Sequence, residues 1–388
     1  MTGRTGTEAG PATSRRVALD ALDRIERDDA YANLALSAVL DRSGLDRRDR
    51  ALVTELVYGS IRRRRSLDHL VDRFLSTEPP STARNALRLG AYQLHFTEIP
   101  AHAAVAETVE ATPKRFRGLV NAILRKVSST DVTWPDEATR LSYPDWIVDR
   151  LRTDLGDQEA TAALESMNHA PDVNTRDDGY VQDLASQWVV DAIDLGDADL
   201  VADLCAAPGG KATGLAGRGA RVVAADLRPG RVGLVAANVE RLHLGRLVLP
   251  VVADASTPPL RPASFDVVLL AAPCSGLGVL RRRADARWRV APGDVGRLVA
   301  LQRELLAAAV PLVRPGGQLV YSVCTLTAAE SVEQAEWLES SGAGAARLEP
   351  LPPPPAPWRP WGSGAVLLPQ AADTDGMSLF RWRVASST

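Results

Sequence analysis

The sequence predicts an α/β protein in two parts, an all-α domain followed by a doubly wound, mostly parallel sheet. Three observations carry this. Apolar residues recur at helical spacing from residue 14 to about residue 128, with no strand-like alternation between them. From about residue 181, short apolar runs alternate with helical segments, the pattern of buried parallel strands and their crossovers. At the first of these runs, Asp203-Leu204-Cys205-Ala206-Ala207-Pro208-Gly209-Gly210-Lys211 places a small-residue turn between a strand and a helix. Such a turn lets backbone N–H groups and a helix N-terminus approach a ligand with no side chain in the way.

Composition sets the outer bounds. The 388 residues suffice for two or three domains, and the 45% hydrophobic and 24% charged content is that of an ordinary globular protein. A net charge of −3 gives no global pull toward nucleic acid, so any basic surface is local. No apolar run approaches the roughly 18 residues of a membrane span, so no membrane association is expected. Residues 1–13 read as a disordered tail without the apolar centre of a signal peptide. Three cysteines give no disulfide framework and fit a reducing cytoplasm. Of 45 basic residues only three are lysine, and one of them is Lys211, beside the turn. Nothing in the sequence sets the oligomeric state, and a monomer is the expectation.

In the first part (residues 14–128), Ser14 is placed to cap a helix carrying Ala18, Leu22 and Ile25. Helical patterns follow at Leu34–Leu40, Leu52–Tyr58 and Leu67–Leu75. Glu78-Pro79-Pro80-Ser81 breaks the run, which resumes at Leu87–Phe96, Val105–Val109 and from Pro113 through Leu124. Basic clusters at Arg62–Arg65 and at Lys114, Arg115, Arg117, Arg125 and Lys126 read either as solvated helix ends or as a path for a phosphate backbone. Residues 129–180 read as a connector, with one or two helices over Ile147–Met167.

In the second part (residues 181–388), strands are expected at Leu200–Leu204, Val222–Ala225, Leu247–Ala253, Val267–Leu270 and Leu319–Val323. Helices are expected at Lys211–Ala216, Val232–Leu242 and Leu298–Val310. Leu379–Val384 reads as a final antiparallel edge strand, and the proline-rich stretch Pro350–Pro360 as a rigid surface loop.

The strand ends carry the chemistry. Asp226 closes the second strand about 20 residues after the turn, where a carboxylate grips ribose hydroxyls, and Asp254 closes the third, within reach of an adenine amino group. With the turn they describe a seat for a nucleoside-type cofactor. The glycine pattern is neither G-x-G-x-x-G nor a phosphate loop. All three cysteines fall at strand ends: Cys205, Cys274 and Cys324. Cys205, inside the turn, reads as a small buried hydrophobe. Cys274 and Cys324 lack the spacing and the neighbouring histidine of a zinc site, so no metal is expected. Two thiols beside a nucleoside cofactor suit methyl transfer to a pyrimidine carbon. A thiolate adding to cytosine C6 makes C5 a nucleophile, and the C5 proton must then leave before the thiol is eliminated. Arg281, Arg282 and Arg283 with Arg287, Trp288 and Arg289 read as a basic, aromatic surface for RNA. A protein that only binds cofactor or RNA, and a nicotinamide-dependent dehydrogenase, stand as alternatives. The latter leaves both cysteines without a role.

DLCAAPGGK, AADLRPGRV, VVADAS, PCSGLGVLRRR and YSVCTLTAAES resemble, in this order, the motifs of RNA cytosine-C5 methyltransferases that use S-adenosylmethionine. ELVYGSIRRRRSLD, LRLGAYQL, IPAHAAVAETVE and GLVNAILRKV resemble the NusB-type helical domain fused to bacterial 16S rRNA enzymes of the RsmB (Sun/Fmu) type. The resemblance implies a NusB-like RNA-binding domain ahead of a Rossmann-like class I methyltransferase domain. It implies Cys324 as the nucleophile, with Cys274 assisting proton removal and release. It implies a cofactor site formed by Cys205, Ala206, Ala207, Pro208, Gly209, Gly210, Lys211, Asp226, Arg231, Asp254 and the position of Ala271. It also implies small-subunit rRNA as the partner. Two positions depart from the pattern. The family motif Asp-Ala-Pro-Cys is here Ala271-Ala272-Pro273-Cys274, which removes a carboxylate that would hold the target base. Where the family carries a small RNA-binding subdomain, this chain has only the connector Asn168–Val181.

Overall fold

The computed structural model describes residues 13–342 and 347–385. These divide into two compact units. One comprises the residues up to Asp145 together with Arg283–Trp288, and the other Trp146–Arg282 with the residues from Arg289 onward. The tail expected over residues 1–13 lies, up to residue 12, outside the described residues.

The first unit is helical: Ser14–Arg27, Ala32–Ser43, Arg47–Arg62, Arg64–Asp72, Ser81–Phe96, Ala101–Ala111, Lys114–Ser128 and the short Glu137–Leu141. The first cap is Thr13, whose Oγ1 accepts from the Arg16 N–H at 3.3 Å. Ser14 is the first helical residue, and its hydroxyl donates to Asp49 at 2.7 Å. The helical spacing turns Leu19, Leu56, Leu67, Leu70, Leu87, Leu89 and Leu124 into one buried core. Gly59 leaves room for the Tyr92 ring, since a Cβ there would sit 2.0 Å from Tyr92 Cζ.

The six residues Arg283–Trp288 complete this unit from far along the chain, and they overturn the expectation of an RNA surface at Arg281–Arg289. Ala284 is buried in the helical core. Arg287 is fully buried; it donates to the carbonyls of Arg62 at 2.9 Å and Ser142 at 3.2 Å, and its guanidinium lies 4.0 Å from the Tyr143 ring centroid. Burial pushes its pKa down to about 10. Trp288 Nε1 donates to the Ile61 carbonyl at 2.8 Å. In the second unit, Arg281 is 1% exposed and pairs with Asp373 at 2.8 Å, while Arg282 pairs with Asp183 at 2.7 Å and Asp375 at 3.0 Å. Only Arg283 of the run is exposed. The Arg62–Arg65 cluster is structural in part: Arg62 is buried, and Arg65 donates to the Tyr143 carbonyl and to Asp145, both at 2.8 Å, whereas Arg64 is exposed. Lys114, Arg115, Arg125 and Lys126 remain exposed.

The stretch 129–180 is shared between the units. Asp136 caps Glu137–Leu141 in the first, and two helices, Asp145–Leu155 and Asp157–Ser166, lead into the second. Within residues 168–181, an antiparallel bridge between Thr175 and Val181 closes a small hairpin.

The strands of the second unit are β1 (Leu200–Asp203), β2 (Arg221–Asp226), β3 (Val248–Val252), β4 (Phe265–Ala271), β5 (Val313–Val323), β6 (Leu348–Pro350), β7 (Arg359–Trp361), β8 (Gly364–Leu367) and β9 (Met377–Val384). Among the described residues they form one sheet in the order β3-β2-β1-β4-β5-β9-β8-β7, with β6 also on β9. β1 to β5 run parallel, and β9 and β8 add antiparallel pairs. Alternate residues bury on opposite faces. Val201, Val267 and Leu269 pack with the helices Gly210–Gly217 and Pro229–Arg241, and Ala202, Val268 and Leu270 pack with Pro292–Ala309 and Val332–Ser341. The last strand is interior, not an edge, because β8 pairs on its outer side. The proline-rich stretch is not all loop: it contains the end of β6 and the start of β7. The strand order reverses between β1 and β4, and that opens a crevice at their carboxyl ends.

Candidate active site

The site lies wholly in the second unit, at the carboxyl edge of β1, β2, β4 and β5. The turn after β1 is held by short backbone bonds: Ala206 N–H donates to the Ala225 carbonyl at 2.8 Å, and Gly209 N–H to the Ala206 carbonyl at 2.7 Å. Gly209 has φ +106°, and a Cβ there would stand 3.3 Å from Val235 Cα, so the position requires glycine. Gly210 opens the helix Gly210–Gly217, and Lys211 follows it. Arg176 of the hairpin donates to the Gly210 carbonyl at 2.6 Å and ties the hairpin to this helix start.

Asp226 is 7% exposed and braces the turn. It accepts from the Ala207 N–H at 3.3 Å, the Arg228 N–H at 3.2 Å and Arg231 Nε at 3.2 Å. Arg231 also donates to the Ala207 carbonyl at 2.9 Å, and Asn238 to the Pro208 carbonyl at 2.9 Å. Asp254 is exposed; its carboxylate accepts from the Ser256 N–H at 2.9 Å and Oγ at 2.8 Å, and these bonds hold its pKa below the usual value.

Asp203, which no sequence pattern distinguishes from an ordinary strand end, is the most unusual group of the turn. It is fully buried, and neither carboxylate oxygen has a formed hydrogen bond. Burial pushes its pKa up to about 7; the charge of Lys211 and the nearby Cys205 N–H offset this only in part. An orphaned buried acid beside a small-residue turn fits a cationic ligand group. Burial, with the adjacent Asp203 and Asp226, also pushes the Cys205 thiol up to about 12, which keeps it an unreactive wall.

Cys274 and Cys324 meet. Ala271 of β4 stands opposite Ser322 of β5 in register, so the two chains carry their cysteines forward together, and the sulfurs lie 3.3 Å apart. The hydrogen bond to Cys324 is the largest cause raising the Cys274 thiol pKa, ahead of burial. The loop after Cys274 is locked onto the turn before β9. Gly278 N–H donates to the Cys324 carbonyl at 3.0 Å, and Gly376 N–H to the Gly278 carbonyl at 2.8 Å. A Cβ on Gly278 would collide with the Gly376 carbonyl oxygen at 2.3 Å. Asp375, in the same turn, is buried, and burial beside Asp183 pushes its pKa up to about 7. Ala271 ends β4 with no carboxylate to offer. Among the described residues no group of histidines, cysteines and carboxylates could hold a metal. No helix is long and apolar enough to cross a membrane.

A parallel sheet in this order, with an antiparallel strand laid on β5 and a small-residue turn after β1, defines a class I methyltransferase domain. Comparison with known proteins makes this specific. Residues 190–380 match the family described as 16S rRNA methyltransferase RsmB/F, and residues 12–129 match the NusB family. Over an alignment 392 positions long, the chain is 36% identical to a protein of Mycobacterium tuberculosis strain H37Rv named as a methyltransferase (82% of this chain, 85% of that one). It is 36% identical over 351 residues to the ribosomal RNA small subunit methyltransferase B of Thermus thermophilus (82% and 85%). It is 32% identical over 364 residues to the enzyme of the same name from Serratia proteamaculans (77% and 84%). The fold matches the crystal structure of PH0851 with a TM-score of 0.77 at 21% identity, covering 96% of this chain and 99% of that one. The chain belongs to the RsmB/F family of methyltransferases, with S-adenosylmethionine as its cofactor. Asp203, Asp226 and the turn Cys205–Lys211 fit that cofactor: a buried acid for its cationic end, an acid at the end of β2 for its ribose, and backbone free of side chains between them.

Proposed function

We propose that the protein methylates C5 of a cytosine in RNA, with small-subunit ribosomal RNA as substrate, and that Cys324 and Cys274 divide the chemistry. The contact between the two sulfurs at 3.3 Å carries this reading. The names of the relatives and the exposed Lys114, Arg115, Arg125 and Lys126 support an RNA substrate. When bound at the β1 turn, S-adenosylmethionine supplies a methyl group on a sulfonium.

Cys324 Sγ adds as thiolate to C6, and C5 becomes the carbon nucleophile that takes the methyl group. While Cys324 is a thiolate, the Cys274 S–H donates to it and keeps its own proton. Once the Cys324 sulfur is bonded to C6 its charge is gone, and with it the largest cause raising the Cys274 pKa. Cys274 can then lose its proton to solvent and, as thiolate, take the C5 proton, while the C5–H electrons re-form the ring double bond and the C6–S bond breaks to return Cys324 as thiolate. Methyl transfer from labelled S-adenosylmethionine to 16S rRNA tests this. Cys324→Ala should lose activity, and equal activity in it would overturn the assignment. Cys274→Ala should accumulate a covalent RNA–protein adduct on denaturing gels.

A further inference from the structure

One carboxylate beside the thiol pair has no part in that sequence of steps. Glu330 is fully buried. Its Oε1 accepts from the Ser275 N–H at 2.8 Å and Gln302 Nε2 at 3.2 Å. Its Oε2 accepts from Ser275 Oγ at 2.5 Å, Thr327 Oγ1 at 2.9 Å and Thr325 Oγ1 at 3.3 Å. Ser275 directly follows Cys274, Thr325 directly follows Cys324, and their hydroxyls meet at 2.9 Å. The Glu330 carbonyl in turn accepts from Tyr321 Oη at 2.7 Å, which fixes the residue to β5. Every donor to the carboxylate is neutral, so its charge is met by dipoles and not by a cation.

The arrangement is lopsided. Both carboxylate oxygens bond to Ser275, but only one reaches Thr325, and at longer range. Its charge is among the causes that raise the Cys274 thiol pKa, and there it opposes a second negative charge. We propose that Glu330 is the positioning residue of the thiol pair: it clamps the two cysteine-bearing turns together, and its charge adds to the Cys324 contact in opposing ionisation of Cys274. The part the pair plays in catalysis rests on the proposed reaction, whereas the clamp and the charge effect do not.

Iodoacetamide alkylation of the full chain, followed for each cysteine by peptide mass spectrometry from pH 6 to 9, tests it without RNA or turnover. Glu330→Gln keeps the shape and removes the charge. Removing this charge favours the Cys274 thiolate, so Cys274 should alkylate at least several-fold faster at pH 8. Cys205, buried in the cofactor turn, is the internal control and should stay protected. Unchanged Cys274 reactivity with Cys205 protected would overturn the proposal. If Cys205 opens as well, Glu330→Asp decides, because it keeps the charge but shortens the reach. It should retain the native pH profile of Cys274 and slow covalent capture of an RNA containing 5-fluorocytosine. A Cys274 profile displaced in the aspartate variant would equally overturn the proposal. Loss of methyl transfer in Cys324→Ala is a separate result, so failure of the reaction and failure of the clamp are told apart.

Discussion

A buried acid with a pKa near 7 makes cofactor affinity depend on pH in a calculable way. If the positive end of S-adenosylmethionine settles against Asp203, the complex requires the ionised form, and affinity tracks the ionised fraction of the free protein. With a pKa of about 7 that fraction is about 0.03 at pH 5.5 and about 0.5 at pH 7.0. Affinity should therefore rise about fifteenfold over this window, roughly 2 kcal/mol, while the amino group of the cofactor stays largely protonated. The sign for stability is opposite. An acid whose folded pKa is raised stabilises the fold most below its unfolded pKa, near 3.8, and that contribution is lost as pH rises through about 7. The penalty at pH 8 is roughly 4 kcal/mol. Asp203→Asn should thus raise the thermal midpoint of the free protein at pH 8 and weaken and flatten cofactor binding. Calorimetry at pH 5.5 to 7.0, in buffers of different ionisation enthalpy, reads both the affinity and the protons released. A pH-independent affinity with no proton release in the unaltered chain would refute the assignment of Asp203 to the cationic end.

Ala271→Asp restores a carboxylate at the end of β4, and single-turnover methyl transfer should accelerate about tenfold or more; an unchanged or slower rate would count against a missing base contact. Arg287→Ala strips a buried side chain from the Tyr143 ring and leaves the Arg62 and Ser142 carbonyls without it, so denaturant unfolding should show a loss of ~3 kcal/mol, whereas Arg283→Ala should be nearly neutral. Replacing Lys114, Arg115, Arg125 and Lys126 together by alanine should weaken RNA binding and reduce the slope of log affinity against log salt by about 3. Equal slopes in filter-binding titrations would remove that face from the RNA path.

Much of this was legible in the sequence because it is local. The strand–turn–helix at Leu200–Gly217 announces itself within eighteen residues, and Cys274 and Cys324 can be placed at strand ends without knowing what they touch. Their meeting at 3.3 Å depends on the register of β4 against β5, which no local pattern encodes. The run Arg281–Arg289 misled for the same reason. Basic residues next to a tryptophan read as a nucleic-acid surface, yet the partners that internalise them lie far off in the chain, Asp375 for Arg282 and Tyr143 for Arg287. Glu330 was invisible because its donors come from Ser275, Gln302, Thr325 and Thr327. Prolines at 350 and 360 hid β6 and β7, and with those strands the fact that β9 is interior.

The hexapeptide Arg283–Trp288 changes what counts as a module in this chain. The helical unit is discontinuous in sequence, so a cut at Asp145 yields a fragment without Ala284, Arg287 and Trp288. Grafting this helical unit onto another enzyme requires the six residues to travel with it. The chain passes between the two units more than once, so neither is a single continuous stretch of sequence.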